Sequence, residues 1–341
     1  MKRRARMIGL VMALSLFSVL IACTGPEKQA DGINKIRLVE VTHSLFYAPQ
    51  YVAMSKGFFK EEGLDIELTN GNGGDKTMTT LVSNQSDIVL VGAEAGIYVT
   101  SRSSRQSIVA FAQLTQTDGT FLVSRKPISS FTWSMIKGKK LLGQRRGGMP
   151  QMVSEYVQRV NGIEPRKDVE IIQNVDYKNL PTAFASGTGD FAQLFEPMAS
   201  KLEQEGKGYV VASFGKNSGL VPYTCYQTKK SFFDKHPDLI KRFTRAVYKG
   251  QKWVETHSVE EVADVMKQHF PESDESILRR VIERYKSQGS FATDPVIDEK
   301  EYNHLLDIME QAGELPKKVP YEQLVDNRIS QEVIKEAGAK K

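Results

Sequence analysis

The stretch APQYVAMSKGFFKEEGLDIEL, residues 48–68, places a helix that begins near Pro49 in front of a short apolar run, LDIEL. Before it lies the apolar run IRLVEV (36–41), and after it come a helix expected from about Asp75 and the run DIVLVG (87–92). Short apolar runs that alternate with helical patterns indicate strands. The alternation therefore predicts a parallel α/β sheet.

The same alternation returns in the middle of the chain over about a hundred residues, the size of a domain. After TFLVSRK (120–126) come KKLLGQ (139–144) and a helix from Pro150 to Asn161, and after VPYTCYQTKK (221–230) the pattern is almost wholly helical. We therefore expect two α/β lobes, one formed by residues 36–120 and 216–341 and the other by residues 121–215. Two crossing strands would form the hinge, and the cleft between the lobes can enclose a small ligand.

The N-terminus has the pattern of an export signal. Four basic residues precede an apolar run, Met7 to Ala22, that is shorter than the roughly 20 residues of a comfortable membrane span. We predict a signal peptide over residues 1–22. It ends in LIAC (20–23), which resembles the lipobox of bacterial lipoproteins and implies that Cys23 is acylated. Residues 23–35 would then be a linker, and the protein would be lipid-anchored at the extracytoplasmic face of the cell membrane.

The charge balance argues against a nucleic-acid partner. The chain has 46 Lys and Arg residues against 41 Asp and Glu residues. Removal of residues 1–22 takes away four basic residues and no acidic ones, which leaves 42 against 41, a net charge of +1. A nucleic-acid binder should show a basic excess or stripe. With Cys23 acylated, Cys225 has no partner cysteine, so no disulfide framework is expected.

Motifs for catalysis are weak. The spacing from Gly143 to Gly148 fits the first part of a phosphate-binding loop, but Met149 and Pro150 stand where that motif needs Lys and Ser or Thr. What remains is a strand that runs through a glycine turn into a helix, whose free N–H groups attract an electronegative ligand group. The five histidines are scattered, and neither a hydrolase elbow nor a zinc motif is present. We expect no catalytic residue, no metal and no cofactor.

Four segments carry a resemblance to a known family. They are K-G-F-F-x-x-E-G-L-x-I (56–66), LVSNQSDIVLVGAEAGIY (81–98), LFEPMASKLEQEG (194–206) and HPDLIKRFTRAVYKGQKWVETH (236–257). Together they resemble the substrate-binding proteins of ABC importers for nitrate, sulfonates, taurine and thiamine pyrimidine precursors. The resemblance implies a two-lobed periplasmic-binding-protein fold of type II that closes on one small-molecule ligand. It also implies an ABC permease and its ATPase subunit as partners, with the binding protein itself a monomer.

The resemblance also implies ligand-binding positions at the ends of several strands. In the first lobe they are Ser44, Phe46, Tyr47, Asp75, Gly92, Ala93, Glu94, Thr115 and Gln116. In the second lobe and on the return strand they are Gly147, Gly148, Met149, Phe195, Glu196 and Tyr223.

Alternative roles stay open for several of these residues. Phe46 is equally well explained as a core aromatic residue, and Tyr47 has the same alternative. Asp75 is better explained as the N-cap of its helix. Glu94 could cap the helix that follows it. Alternation along the strand could send Arg145 or Arg146 into the cleft, although an exposed pair is the more common outcome.

Glu94 and Glu196 bear on the type of ligand. Two carboxylates near a cleft disfavour an ionised sulfonate or nitrate, which needs cations and backbone donors. A ligand rich in N–H donors, such as an aminopyrimidine, suits them better, with Glu196 at the sheet edge accepting from its amino group. On that basis Glu196→Gln would weaken binding and leave the melting temperature nearly unchanged. The alternatives are an alkanesulfonate, taurine or nitrate ligand, a sensor-coupled binding module, and a pyrimidine synthase-like enzyme, for which only Cys225 is available.

Overall fold

The strands of the computed structural model form two five-stranded sheets, and the residues described are 34–102 and 107–339. The predicted signal peptide, Cys23 and nearly all of the predicted linker lie outside these residues. The strands are β1 (Asn34–Glu40), β2 (Leu64–Asn70), β3 (Ile88–Gly92), β4 (Ile108–Thr115), β5 (Thr120–Ser124), β6 (Lys140–Leu142), β7 (Glu170–Ile172), β8 (Phe191–Phe195), β9 (Tyr209–Ser213) and β10 (Thr224–Lys229).

The helices are α1 (Ala48–Ser55), α2 (Phe58–Glu61), α3 (Gly74–Val82), α4 (Ala93–Arg102), α5 (Met149–Val160), α6 (Leu180–Ala185), α7 (Met198–Gln204), α8 (Phe214–Ser218), α9 (Lys230–Lys235), α10 (Pro237–Thr256), α11 (Val259–Met266), α12 (Glu275–Gln288), α13 (Glu299–Gln311), α14 (Tyr321–Leu324) and α15 (Arg328–Gly338). Short 3-10 helices cover Leu45–Tyr47, Trp133–Ile136 and Tyr177–Asn179. Across the described ranges, none of these helices combines the length and the apolar character that a membrane crossing requires.

Each sheet combines parallel and antiparallel pairs. The first has the order β2-β1-β3-β10-β4, and the second has the order β7-β6-β8-β5-β9. β1 runs parallel to β2 and β3, and β6 runs parallel to β7 and β8, as the alternating pattern predicts. β10 and β5 are antiparallel to their neighbours, contrary to the prediction of a purely parallel sheet. These two strands follow the segments that cross between the sheets. Neither strand is joined to a parallel neighbour in its own sheet by a helical crossover.

The two crossings are short. Residues 116–119 connect β4 of the first sheet to β5 of the second, and residues 214–223 connect β9 back to β10. Strands from residues 34–115 and 224–229 thus share one sheet, and strands from residues 120–213 share the other. The predicted lobe boundaries, near residues 120 and 215, stay a prediction.

Helix starts follow local sequence closely where proline is present. α1, α5 and α10 each have proline in the first turn, where its missing N–H breaks no helical hydrogen bond. The N-cap prediction for Asp75 is wrong: Gly73 caps α3, and Asp75 lies inside the first turn. Gly73 has φ +128°, a conformation that glycine adopts readily, so the helix begins earlier than the side-chain pattern indicates.

The outer edges of β4 and β9 are occupied by the chain itself. Beside β4, the Ala292 N–H donates to the Leu114 carbonyl oxygen at 3.0 Å. Beside β9, the Val210 N–H donates to Glu203 Oε1 at 2.9 Å, and the register between β5 and β9 shifts near the same residue. Both edges therefore have backbone groups already bonded to other parts of the protein.

Candidate functional site

Aromatic residues from β8, from α12 and from segments beside β1 and β10 meet around Phe46. Its ring centroid lies 5.8 Å from that of Tyr47, 5.6 Å from Tyr223 and 6.2 Å from Phe195. Tyr285 of α12, which sequence reasoning did not include, lies 4.9 Å away. We call these five residues the aromatic cluster; four of them are buried, and Phe195 is half-buried. Four predicted site residues that are far apart in sequence are thus brought together.

The loop that carries Ser44 to Tyr47 is held by a buried carboxylate at the end of β1. Glu40 accepts hydrogen bonds from the Tyr51 hydroxyl at 2.8 Å and from Gln50 Nε2 at 2.9 Å, and the two donors are on α1. Its other oxygen lies 2.9 Å from His43 Nδ1, and this contact raises the pKa of His43 above its usual value. The helix that begins near Pro49 therefore anchors the loop that precedes it.

Two predicted polar contacts serve structural roles in this region. Ser44 Oγ accepts from the Phe46 N–H at 3.2 Å and caps the 3-10 helix Leu45–Tyr47. Thr115 Oγ1 donates to Thr224 Oγ1 at 2.9 Å and links β4 to β10. Burial raises the pKa of Tyr47 well above its usual value, so this hydroxyl stays protonated. A hydrogen bond with Thr224 partly opposes this rise, so the Tyr47 hydroxyl also has a partner within the protein.

Gln116 and Ala93, two of the predicted ligand-binding residues, make contacts within the protein instead. Gln116 Nε2 donates to the Gly289 carbonyl oxygen at 3.0 Å, and its backbone N–H donates to Ser290. The amide group predicted for a ligand is therefore bonded to the segment that follows α12. Ala93 is buried at the first position of α4 and contributes packing beside Glu94.

Glu94 is a buried carboxyl with an unpaired oxygen. Its residue is 8% exposed, and Oε2 has no hydrogen-bond partner among the described residues. Burial raises the pKa of Glu94 to about 8, a rise that backbone N–H groups, among them that of Met149 at the start of α5, partly oppose. A Cβ atom at Gly92 would lie 1.9 Å from this carboxylate, so a larger residue there would displace the Glu94 side chain.

Asp118, in the first crossing, is a second buried carboxyl that sequence reasoning missed. Oδ1 accepts from the Thr120 N–H at 2.7 Å and from the Thr120 hydroxyl, and the Tyr223 hydroxyl lies beside the carboxyl as a further donor. Burial raises the pKa of Asp118 to about 6. An Asp-Gly pair between two strands was the available signal, and it indicates a turn more directly than a ligand contact.

Tyr223 lies close to both carboxyls. Its hydroxyl is buried beside the Asp118 carboxyl. Burial, the negative charge of Asp118 and a hydrogen bond to that carboxyl hold the pKa of Tyr223 well above its usual value. Asp118 and Tyr223 can therefore satisfy each other, whereas Glu94 Oε2 has no hydrogen-bond partner among the described residues.

Glu196 has a different role from the one predicted. Its two oxygens accept from the Ser200 N–H at 2.9 Å, from the Ser200 hydroxyl at 3.0 Å and from an Arg284 guanidinium nitrogen at 2.5 Å. Arg284 also binds Glu203 at 2.5 Å. Glu196 precedes α7 by one residue, Pro197, so its carboxylate turns toward the free N–H groups of that helix. The acceptor positions predicted for a ligand amino group are thus occupied by protein donors.

The glycine turn before α5 contacts α4. The Tyr98 hydroxyl donates to the Gly147 carbonyl oxygen at 3.1 Å, and the Gly147 N–H donates to Gln151 Oε1 at 2.9 Å. Gly147 has φ +81°, Gly148 is the N-cap of α5, and Met149 is buried. The electronegative group beside this helix start is the protein's own Glu94.

The two arginines ahead of that turn form exposed ion pairs. Arg145 binds Asp75 at 2.5 Å, and Arg146 binds Glu314 at 2.6 Å. Both guanidinium groups are largely exposed, so neither provides a buried cation. The exposed pair is the alternative that the structure supports.

Comparisons with known proteins agree with this architecture. The family model described as NMT1/THI5 like matches residues 46–261. YtlA of Bacillus subtilis (strain 168), whose name describes it as a binding protein, is 52% identical over 326 residues, which cover 96% of each chain.

Solved structures at lower identity establish the fold. The ligand-binding component of an ABC-type import system from Staphylococcus aureus has a TM-score of 0.71 at 17% identity, with 88% of this chain and 99% of that one covered. The alkanesulfonate-binding protein SsuA from Xanthomonas axonopodis pv. citri has a TM-score of 0.70 at 13% identity, with 87% and 99% covered. The fold is the two-lobed periplasmic-binding-protein fold. The protein belongs to the NMT1/THI5-like family.

Proposed function

We propose that this protein is the substrate-binding component of an ABC importer and that its ligand is a small flat solute with N–H donors, of the aminopyrimidine type. The observation that carries the ligand class is the unpaired Oε2 of buried Glu94 beside the aromatic cluster. A buried acceptor without a partner is costly, and a ligand donor removes that cost.

The aromatic cluster suits a flat ring. Tyr47, Phe195 and Tyr223 surround Phe46 at centroid distances that allow tilted and edge-to-face contact. A planar heterocycle would find apolar faces for its ring and buried polar groups for its edge. Ligand sites in proteins commonly combine such an apolar lining with a few placed polar groups.

The electrostatics argue against an anionic ligand. The arginines nearest to the aromatic cluster are already paired: Arg284, which precedes Tyr285, binds Glu196 and Glu203, and Arg145 and Arg146 form exposed ion pairs. A sulfonate placed beside Glu94 and Asp118 would meet two carboxyls, and each of these arginines already has a carboxylate partner. An aminopyrimidine instead donates N–H groups, and with a carboxyl pKa of about 8 a proton can be shared between ligand and protein.

Coupling to an importer is supported by two observations. The fold is shared with a ligand-binding component of an ABC-type import system. The pattern around Cys23 fits a lipid-anchored receptor held near its permease at the extracytoplasmic face. In this role the protein acts as a monomer, with a permease and its ATPase as partners.

The runner-up ligand is an alkanesulfonate, because a solved neighbour of the same fold is an alkanesulfonate-binding protein. Calorimetry on residues 24–341 separates the two classes, with 4-amino-2-methylpyrimidine and ethanesulfonate as probes. We expect the pyrimidine to bind and, above about pH 8 where Glu94 is ionised, Glu94→Gln to weaken it by roughly tenfold to a hundredfold, since an amide presents a donor where the carboxylate has only acceptors.

Glu301→Gln is the matched control. Glu301 also has an unpaired oxygen and a pKa raised by burial to about 7, but it lies on α13, in no contact with the aromatic cluster. We expect this variant to bind the pyrimidine as the unmodified chain does. Binding of ethanesulfonate alone, unchanged or tighter in Glu94→Gln, would replace the proposed ligand with the anion.

A further inference from the structure

We propose that His43 is a positioning residue that holds the loop of residues 44–47 in place only while both of its ring nitrogens carry a proton. This loop supplies Phe46 and Tyr47 to the aromatic cluster. The inference rests on the proposed function, in which that cluster receives the ring of the ligand, and it makes the affinity for the ligand depend on pH. The side chain of His43 is 40% exposed, so solvent protons reach it.

Each ring nitrogen of His43 faces an oxygen that accepts. Nε2 lies 2.8 Å from the carbonyl oxygen of His269, which has no proton to donate, so Nε2 carries one. Nδ1 lies 2.9 Å from Oε1 of Glu40, and two lone pairs do not approach so closely without a proton between them. The Tyr51 hydroxyl, 2.9 Å from Nδ1, cannot supply that proton, because it donates to Glu40 Oε2.

That proton belongs to the ring rather than to the carboxyl. Glu40 already accepts from the Tyr51 hydroxyl at 2.8 Å and from Gln50 Nε2 at 2.9 Å, and donors of this kind favour the ionised form of a carboxyl. Burial raises the pKa of Tyr51, so its hydroxyl stays protonated and keeps donating. His43 is therefore an imidazolium in this structure.

The other groups around the ring also favour the charged form. The hydrogen bond with Glu40 raises the pKa of His43, and the charge of Glu272 adds to the rise, although burial opposes it. The Phe270 ring stacks on the imidazole with centroids 4.4 Å apart, and an aromatic face attracts a cation. Burial, together with the charge of His43, lowers the pKa of His269, so the neighbouring histidine does not compete as a second cation.

The two N–H groups of the ring link the loop to two parts of the protein. On one side the ring binds Glu40, which holds the Tyr51 hydroxyl, and this hydroxyl accepts from the Ser44 N–H at 3.3 Å. On the other side it binds residues 267–274, the segment that leads into α12 and thus to Tyr285 of the aromatic cluster. Loss of either proton places one lone pair against another, so one of the two links opens.

Two measurements on ligand-free residues 24–341 test the charge and its effect. Nitrogen-15 NMR should find both ring nitrogens of His43 protonated at about pH 7, where an ordinary histidine is mostly neutral. The melting temperature of His43→Gln should lie below that of the unmodified chain at about pH 6, and the gap should close as pH rises through the midpoint that NMR gives. A histidine whose pKa is raised on folding stabilises the fold at low pH and loses this effect as it is deprotonated.

Calorimetry with 4-amino-2-methylpyrimidine measures the link to the ligand. At about pH 6, His43→Gln should weaken binding of this probe about fivefold, since a charged hydrogen bond is lost at a partly exposed site. The ratio of the two affinities should approach one at the same NMR midpoint. Both proteins bind the same probe and both keep Glu94, so the titrations of the probe and of Glu94 cancel in this ratio.

His236→Gln is the matched control. His236 lies at the start of α10, and its ring contacts Phe232 at a centroid distance of 4.8 Å. We expect this variant to bind the probe as the unmodified chain does at each pH.

A His43 ring that is neutral at about pH 7 would overturn the inference and leave the proposed function standing. Gaps in melting temperature and affinity that stay constant with pH would do the same, because packing alone gives constant gaps. If the unmodified chain binds the probe at no pH, the proposed function fails, and the NMR and melting data still decide whether an imidazolium holds the loop. The two failures are thus distinct.

Discussion

Replacement of Arg284 by methionine should lower stability far more than replacement of a neighbouring arginine on the same helix. Arg284 Nη1 lies 2.5 Å from Glu196 Oε1, and Nη2 lies 2.5 Å from Glu203 Oε2. The Glu196 side chain is completely buried, whereas that of Arg284 is 21% exposed. Methionine keeps much of the aliphatic packing and removes the cation, so a buried carboxylate loses its counter-charge.

The magnitude follows from that burial. Removal of one partner of a buried ion pair typically costs about 3–5 kcal/mol, and we take the lower end because Arg284 is partly exposed and Ser200 still donates to Glu196. With an unfolding entropy of about 2.1 cal/mol/K per residue and roughly 300 folded residues, a loss of about 3 kcal/mol lowers the melting temperature by about 5 °C.

Differential scanning calorimetry on the ligand-free protein measures this change, with Arg279→Met as the control. Arg279 pairs with Glu275 on the same helix, and both side chains are 46% exposed, so its loss should cost well under about 1 kcal/mol and about 1 °C. Glu196→Gln should also lower the melting temperature and leave ligand affinity unchanged, the reverse of the expectation from sequence. Equal melting temperatures for Arg284→Met and Arg279→Met would refute the reasoning.

Three further outcomes are expected. Without ligand, the free energy of unfolding should fall as pH rises from about 4.5 to about 8, because Glu94 keeps its proton to a higher pH in the folded chain than in the unfolded one. In thermal melts over this range, the melting temperature of Glu94→Gln should change less with pH than that of the unmodified chain. The same pH dependence in both proteins would contradict this. Asp75→Asn should weaken ligand binding less than about fivefold at low salt and not at all at high salt, because the ion pair between Asp75 and Arg145 is exposed and salt screens it. A loss of ligand affinity that calorimetry still finds at high salt would exclude this explanation. Cys23→Ser should leave the exported chain without lipid, and a diacylglycerol adduct detected on it by mass spectrometry would exclude acylation at Cys23.

The features of the fold that depend only on neighbouring residues in the sequence were predictable. A proline in the first turn marks the start of α5 almost to the residue, since proline favours that position regardless of tertiary context. Apolar runs separated by helices gave the parallel parts of both sheets. The antiparallel placement of β5 and β10 depends on where the chain crosses between sheets, and no local pattern records that.

The candidate site was predictable in position and less so in chemistry. Phe46, Glu94 and Tyr223 follow or precede strands, and strand ends converge in this kind of fold. Glu196 looked equivalent to Glu94 in sequence, yet Arg284, 88 residues away, binds its carboxylate. Asp118 was not predicted because its burial and its contacts with Thr120 and Tyr223 are properties of the packed structure. Whether a carboxyl is already paired depends on distant residues, and that information is absent from short motifs.

The occupied edges of β4 and β9 bear on how copies of this protein behave at high local density. A sheet edge with free backbone groups can join the edge of another molecule and start aggregation. Here Ala292 lies against β4, and Glu203 binds the backbone of β9. A strand added at either position would have to displace the bond that the protein already makes there. Monomers crowded together are therefore less prone to join through the backbone at these two places.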